Sequence, residues 1–179
     1  MHIRRALFAA LILTLVGVGT ARADVIGYSG TTTGGPTFNR PLEDGSGLSA
    51  VGTAVPYNVF QFTVTVGGSH NFLSLPTTPG YDNFLILYQN AFNPASSLTN
   101  FLIADDDTGS VGFSAAFTWN LSAGTNYYLV TTGFNNVDFG GFTNSITGPT
   151  SAVPEPTTML LLGTGLAGVA GRKLRRRRE

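Results

Sequence analysis

Two stretches of strict alternation constrain the fold of this chain more than any other feature. In YNVFQFTVTV, residues 57–66, Phe60, Phe62, Val64 and Val66 share one face and Gln61, Thr63 and Thr65 the other. In FSAAFTWNL, residues 113–121, Phe113, Ala115, Phe117, Trp119 and Leu121 point one way and Ser114, Thr118 and Asn120 the other. A period of two belongs to a strand with one face buried and one in water, as in antiparallel sheets. FLILY (84–88) and NYYLVTT (126–132) are apolar or aromatic on both faces, as central strands covered on each side would be. Between these runs lie Gly67-Gly68, Pro79-Gly80, Asn93-Pro94, Thr108-Gly109 and Ala123-Gly124, each a turn signal by its dihedral preferences. The body shows no helical period with caps and no internal repeat. Ser29–Gly52, dominated by Gly, Thr, Ser and Pro, reads as irregular chain or a frayed first strand. The pattern predicts an all-β, antiparallel β-sandwich or jelly-roll.

The two ends of the chain are of another kind. Residues 1–23 combine Arg4 and Arg5, an apolar run from Ala6 to Gly19 broken only by Thr14, and small residues at Ala21 and Ala23. This is the layout of a secretory signal peptide, a short helix that signal peptidase removes after Ala23 so that the exported domain, 24–150, begins at Asp24. At the other end, residues 151–179 open with Val153-Pro154-Glu155-Pro156, where two prolines bracket one residue and hold the chain extended. A hydrophobic helix of 15 residues follows at about 157–171, ~22 Å long at 1.5 Å per residue against a hydrocarbon core of ~30 Å. The tail closes with Arg172, Lys173, Arg175, Arg176, Arg177 and Arg178, a stop-transfer cluster that stays on the cytoplasmic side and leaves the body outside. A motif, a membrane run and a basic end follow the logic of sorting signals whose tail is removed after recognition.

Export alters the reading of charge. The chain has ten basic and ten acidic residues, but three of the basic ones lie in the signal and six in the tail, leaving Arg40 alone between them. Against it, residues 24–150 hold eight acids, Asp24, Glu43, Asp44, Asp82, Asp105, Asp106, Asp107 and Asp138, a net of −7. Such a body repels phosphate backbones, which excludes nucleic acid as a partner. With no cysteine, the domain must be held by its core rather than by disulfides.

Nothing in the body points to catalysis. It has no Cys or Lys, no nucleophile elbow and no zinc-protease helix motif, and its one histidine, His70, sits beside a turn where an exposed side chain is the expectation. The tyrosines offer stacking surface to sugars if exposed and core if not; Trp119 goes with the core. The acidic triplet is the candidate site. In an extended chain Asp105 and Asp107 share a face, so either water screens them or a cation, with calcium the chemical fit, sits there. The helix–loop–helix calcium template fails, because its fifth position would be Gly109 and its twelfth Ala116.

Residues 81–134 carry a resemblance to a known family. An Asp-led strand at Asp82, an acidic turn at Asp105-Asp106-Asp107 and the run LSAGTNYYLV (121–130) are similar to the bacterial pre-peptidase C-terminal domain, over roughly 57–148. The resemblance implies a small jelly-roll-like β-sandwich, commonly appended to or secreted beside other proteins and not itself catalytic. It also makes Asp82 a partner for Asp105 and Asp107 in a metal site, although Phe84 stands where the family often has a second Asp. Residues 153–179 resemble the PEP-CTERM signal of Gram-negative bacteria, which implies processing by an exosortase and delivery through the inner membrane to the cell surface, outer envelope or matrix, usually in cells making exopolysaccharide. The expected partners are then signal peptidase, the exosortase, the membrane before processing, and a polysaccharide. The expected function is a non-catalytic surface or matrix protein, with a calcium-dependent carbohydrate-binding module as the alternative.

Overall fold

The structure is a computed structural model that describes residues 23–108 and 113–149. The expected signal peptide with Ala21, the sorting motif, the hydrophobic run at 157–171, the basic cluster and both flanking helices lie outside the described residues; Ala23 opens the first strand.

Among the described residues there are ten strands: β1 (Ala23–Thr31), β2 (Thr37–Phe38), β3 (Val55–Pro56), β4 (Asn58–Phe62), β5 (Gly68–Pro76), β6 (Asn83–Gln89), β7 (Phe101–Asp105), β8 (Ala115–Leu121), β9 (Tyr127–Gly133) and β10 (Gly141–Pro149). They form two four-stranded antiparallel sheets, in the orders β1-β10-β5-β8 and β4-β9-β6-β7, with β2 and β3 paired apart. The expected antiparallel sandwich is what the chain adopts. Between the sheets lie Phe62, Phe72, Leu85, Leu87, Leu121, Tyr127, Leu129 and Ile146, all buried. Phe117 and Trp119 pack against this core half-buried.

The second sheet is covered on its other face as well. Phe84, Ile86 and Tyr88 of β6 and Val130 of β9 are buried against Phe38 and Val55, with Tyr57 and Phe92 beside them. The Gly- and Ser-rich segment between β1 and β4 therefore has a structural task, since it lays Phe38 and Val55 over strands apolar on both faces. Removing a Phe, Leu or Ile side chain from water stabilises by about 1.5–3 kcal/mol, which is ample reason for an irregular segment to stay down. Phe38, Tyr57 and Phe92 meet edge to face at 5.1–5.4 Å between ring centroids.

Several expectations change at this level. β1 is a nine-residue strand paired with β10 along its whole length, so the chain is regular through Thr31. The 57–66 alternation ends as a strand at Phe62; beyond it Val64 is still buried while the chain turns. Phe113 was expected inward but is 47% exposed at φ 75°, because the chain there is still turning into β8, and Ser114 is buried instead. His70, expected at an exposed turn, is 4% exposed: the strand starts at Gly68, which puts His70 on the inner face with Phe72. Its Nδ1 lies 2.9 Å from the Gly68 carbonyl.

The registers also separate the two ends of the sandwich. Ala23 pairs with Pro149, so the chain enters and leaves at one pole. The connections from β5 to β6, β7 to β8 and β9 to β10 all lie at the other, with Thr31 opposite Gly141.

A Cβ added at Gly148 would fall inside the ring of His70, whereas one at Gly27 would meet only the Asn144 carbonyl at 3.9 Å. Gly148→Ala is expected to cost about 1–3 kcal/mol by overpacking, while Gly27→Ala leaves stability unchanged or slightly raised; chemical denaturation midpoints of the two variants check this.

Candidate functional site

At the pole away from the termini, β7 ends at Asp105 and the three consecutive aspartates take three different roles. The Oδ2 of Asp105 accepts from the Ala116 amide at 2.7 Å and from the Thr108 hydroxyl at 2.6 Å, which ties the exit of β7 to the start of β8. Asp107 Oδ1 accepts from the Phe113 amide at 3.1 Å. Asp106 turns inward, and its Oδ1 is buried with no hydrogen-bond partner. Asp82 stands immediately before β6, where its carbonyl accepts from the Phe134 amide at 3.0 Å; its Oδ1 is likewise buried and unpartnered. One carboxylate oxygen from each of Asp82, Asp106 and Asp107 lies within 4.8 Å of the other two.

The structure thus groups Asp82, Asp106 and Asp107, where the sequence reading named Asp82, Asp105 and Asp107. Asp105 and Asp107 would share a face only if the strand continued. It stops at Asp105, so the parity argument fails there, and the Asp105 carboxylate is consumed by the backbone of β8. The signal for this was in the sequence: Thr108-Gly109 marks a turn directly after the triplet, and a turn breaks alternation at its first residue.

Arg40, the single cation of the body, is 2% exposed beside these acids without being spent on them. Its Nε donates to the Phe134 carbonyl at 2.9 Å and its Nη1 to the Pro41 carbonyl at 3.0 Å, and its guanidinium lies 4.0 Å from the centroid of Phe84 and 4.9 Å from that of Phe134. It is a planar cation between two rings, the arrangement guanidinium favours. Phe84, which departs from the family pattern, is the ring beneath it. Burial lowers the Arg40 pKa, and the charges of Asp106 and Asp82 work against that shift. A cleft of about 300 Å³ lies over this place, lined by Arg40, Glu43, Val51, Phe84, Asp106 and Phe134 among others.

The acids carry the cost of crowding. Burial, then the neighbouring charges of Asp107 and Asp138, raise the Asp82 pKa above the usual carboxylate range. Burial, then Asp82 and Asp107, push Asp106 up to about 7, with Arg40 opposing. Carboxylates that cannot all ionise in one place hold a proton or receive a cation. Oxygens 4.8 Å apart or less can touch one ion whose oxygen ligands lie at 2.3–2.6 Å, the range of calcium, and hard carboxylate donors with two buried orphan oxygens suit that ion.

The sequence comparisons bear on the other end of the molecule. Residues 152–177 match the PEP-CTERM protein-sorting motif. The match covers the sorting tail with its P-E-P, hydrophobic run and the basic cluster as far as Arg177, so the chain carries the signal of an exported protein presented to an exosortase and destined for the cell surface or the extracellular space. No curated protein matches the chain. Among solved structures, the pre-peptidase C-terminal domain of collagenase from Bacillus anthracis is similar at 16% identity and a TM-score of 0.42, covering 68% of this chain and 87% of that one. A cleaved adhesin domain of Lys-gingipain from Porphyromonas gingivalis gives 18% and 0.38, over 74% and 100% of the two chains. A family 35 carbohydrate binding module from Clostridium thermocellum gives 15% and 0.35, over 72% and 96%.

Asp106 loses its proton near 7 in the fold and near 4 when unfolded, so between those values the folded chain keeps a proton that the unfolded chain has released. Stability should fall as pH rises from 4 to 7 in the presence of chelator. Asp106→Asn should flatten that decline and melt several degrees higher than the parent at pH 8, with little difference at pH 4; a pH series of thermal melts reads both.

Proposed function

We propose that this chain is an exported, non-catalytic module of the cell surface or extracellular matrix, released from or fixed at the membrane by an exosortase acting near Val153-Pro154-Glu155-Pro156, in cells that build an exopolysaccharide coat. The observation that carries the reading is the sorting-motif match at 152–177, which begins only a few residues after β10 ends at Pro149. The last described strand ends before the signal starts, so the domain loses none of its described strands when the tail is removed.

In this reading the acidic pole is a calcium seat formed by Asp82, Asp106 and Asp107. A bound ion would supply positive charge that lets all three carboxylates ionise together. The chain's part is to hold them there, with Asp82 pinned between β6 and β9 and Asp107 fixed by the Phe113 amide. The site lies at the pole of the sandwich opposite the Ala23–Pro149 pair. The cleft beside Asp106 favours a second reading, calcium-dependent binding of a carbohydrate; glycan-array signals that vanish in chelator would support it.

Replacing Pro154, Glu155 and Pro156 together with Ala keeps the hydrophobic length and the arginines but removes the rigid extended element. A full-length, membrane-held form should accumulate, seen as a slower-migrating band on immunoblot of the membrane fraction. Trimming and localisation identical to the parent would reduce the tail to a plain anchor.

A further inference from the structure

The outer face of the sheet β1-β10-β5-β8 bears no charge. The registers set its side chains in rows across four strands, one of them Val25, Thr147, Asn71 and Thr118. On β10 the hydroxyls continue through Ser145 and Thr143, and Ser29 of β1 stands beside Thr143. Along all four strands this face holds only Ser, Thr, Asn, Gly, Pro and aliphatic residues, with no Asp, Glu, Lys, Arg or aromatic. The body is sparsely charged throughout, with eight acids and Arg40 in residues 24–150. The acids of this body gather elsewhere: Glu43, Asp82, Asp106 and Asp107 are at the far pole with Arg40.

The face is ordered as well as neutral. Thr118 Oγ1 donates to Asn71 Oδ1 at 2.6 Å across the β5–β8 pair, which fixes both side chains and leaves the amide N–H groups of Asn71 as donors. Neighbouring side chains repeat at ~4.8 Å between strands and ~6.7 Å along them, so hydroxyl and amide groups that donate and accept are interspersed with small and aliphatic side chains, Val25, Leu73, Leu75 and Ala116 among them.

We propose that this face docks on an extended, uncharged polysaccharide. Hydroxyl meeting hydroxyl needs no fixed polarity, and no ion is stripped of water on contact. A polyanion would be repelled by a body of net charge −7, and a polycation would find no counter-charge on the face. A second copy suits it poorly: four strands by about seven residues is ~450 Å², against the ~800 Å² per partner of a stable protein interface, and no aromatic or Met is there to anchor one. Weak contacts repeated along a polymer add by multivalency. The proposal depends on the export reading only for where the polymer is met, and it is separate from the acidic pole.

The test is cosedimentation of the full chain, kept soluble in a polyoxyethylene detergent that has no sugar headgroup, with microcrystalline cellulose and with carboxymethyl-cellulose resin. The parent should pellet with the neutral glucan, equally in calcium and in chelator and in salt high enough to screen the six basic residues of the tail, whereas any retention on the anionic derivative should be lost in that salt. Thr143→Lys, Ser145→Lys and Thr147→Lys together should weaken retention at least tenfold. Should that variant fail to fold, Ser29→Lys and Thr118→Lys on the two edge strands serve instead, with melting temperature as the control. No retention of the parent, or equal retention of the folded variants, would overturn the proposal. So would retention lost in chelator, which assigns binding to the acidic pole, or a concentration-dependent dimer broken by the same lysines without glucan binding, which gives the face to a second copy.

Discussion

Strand β6 is apolar on both faces, and much of the molecule follows from having to cover it twice. Leu85 and Leu87 face the first sheet and are met by Phe72 and Ile146; Phe84, Ile86 and Tyr88 face the other way and need a lid. The segment between β1 and β4 supplies it with Phe38 and Val55. That segment is held by main-chain hydrogen bonds: the Ser49 amide donates to the Arg40 carbonyl in its middle, and the Tyr57 amide donates to the Pro36 carbonyl nearer its ends. Without the second layer the outer side of β6 and β9 would be a large exposed apolar strip, a liability for any exported protein.

The candidate site is a by-product of that second layer. Covering Phe84 brings Arg40 down onto its ring, and the guanidinium spends its donors on the carbonyls of Phe134 and Pro41. The lone cation of the domain is therefore built into the fold beside the acids while leaving Asp82 and Asp106 each with an unpartnered buried oxygen. A cation placed to neutralise them through hydrogen bonds would have closed the site; one held by rings and carbonyls only tempers the field. The pole keeps an excess of negative charge in a partly dry place, facing away from the point where the chain enters and leaves.

How much of this is legible in the sequence differs by element. Alternation is a direct imprint of the sheet, so β4 and β8 are readable from Phe60, Phe62, Phe117 and Leu121, and the apolar or aromatic runs FLILY and YYLV, without alternation, mark β6 and β9 as covered on both sides. β1 is not readable, because in GYSGT only Tyr28 reaches the core, stacking on Phe60, while the rest pairs with β10 through its main chain and is small and polar, a composition shared with loops. The second layer is hidden for a related reason: Phe38 and Val55 are single apolar residues in a polar segment, and only the strand beneath them gives them a role. In the triplet, Asp82 and Asp107 are reachable from family likeness and strand parity, but choosing Asp106 over Asp105 requires knowing which residue ends β7. The tail is the opposite case, where composition and order alone carry the meaning, as the sorting-motif match at 152–177 agrees.

In the proposed calcium seat, the crowded carboxylates of the pole exchange a proton for a cation. Calorimetric titration of the full chain with calcium at pH 6, repeated in buffers of different ionisation enthalpy, measures that exchange directly. With Asp106 titrating at about 7, binding should release close to one proton at pH 6 and almost none at pH 9. Calcium heat that is the same in every buffer at pH 6, or no binding at either pH, would contradict the account.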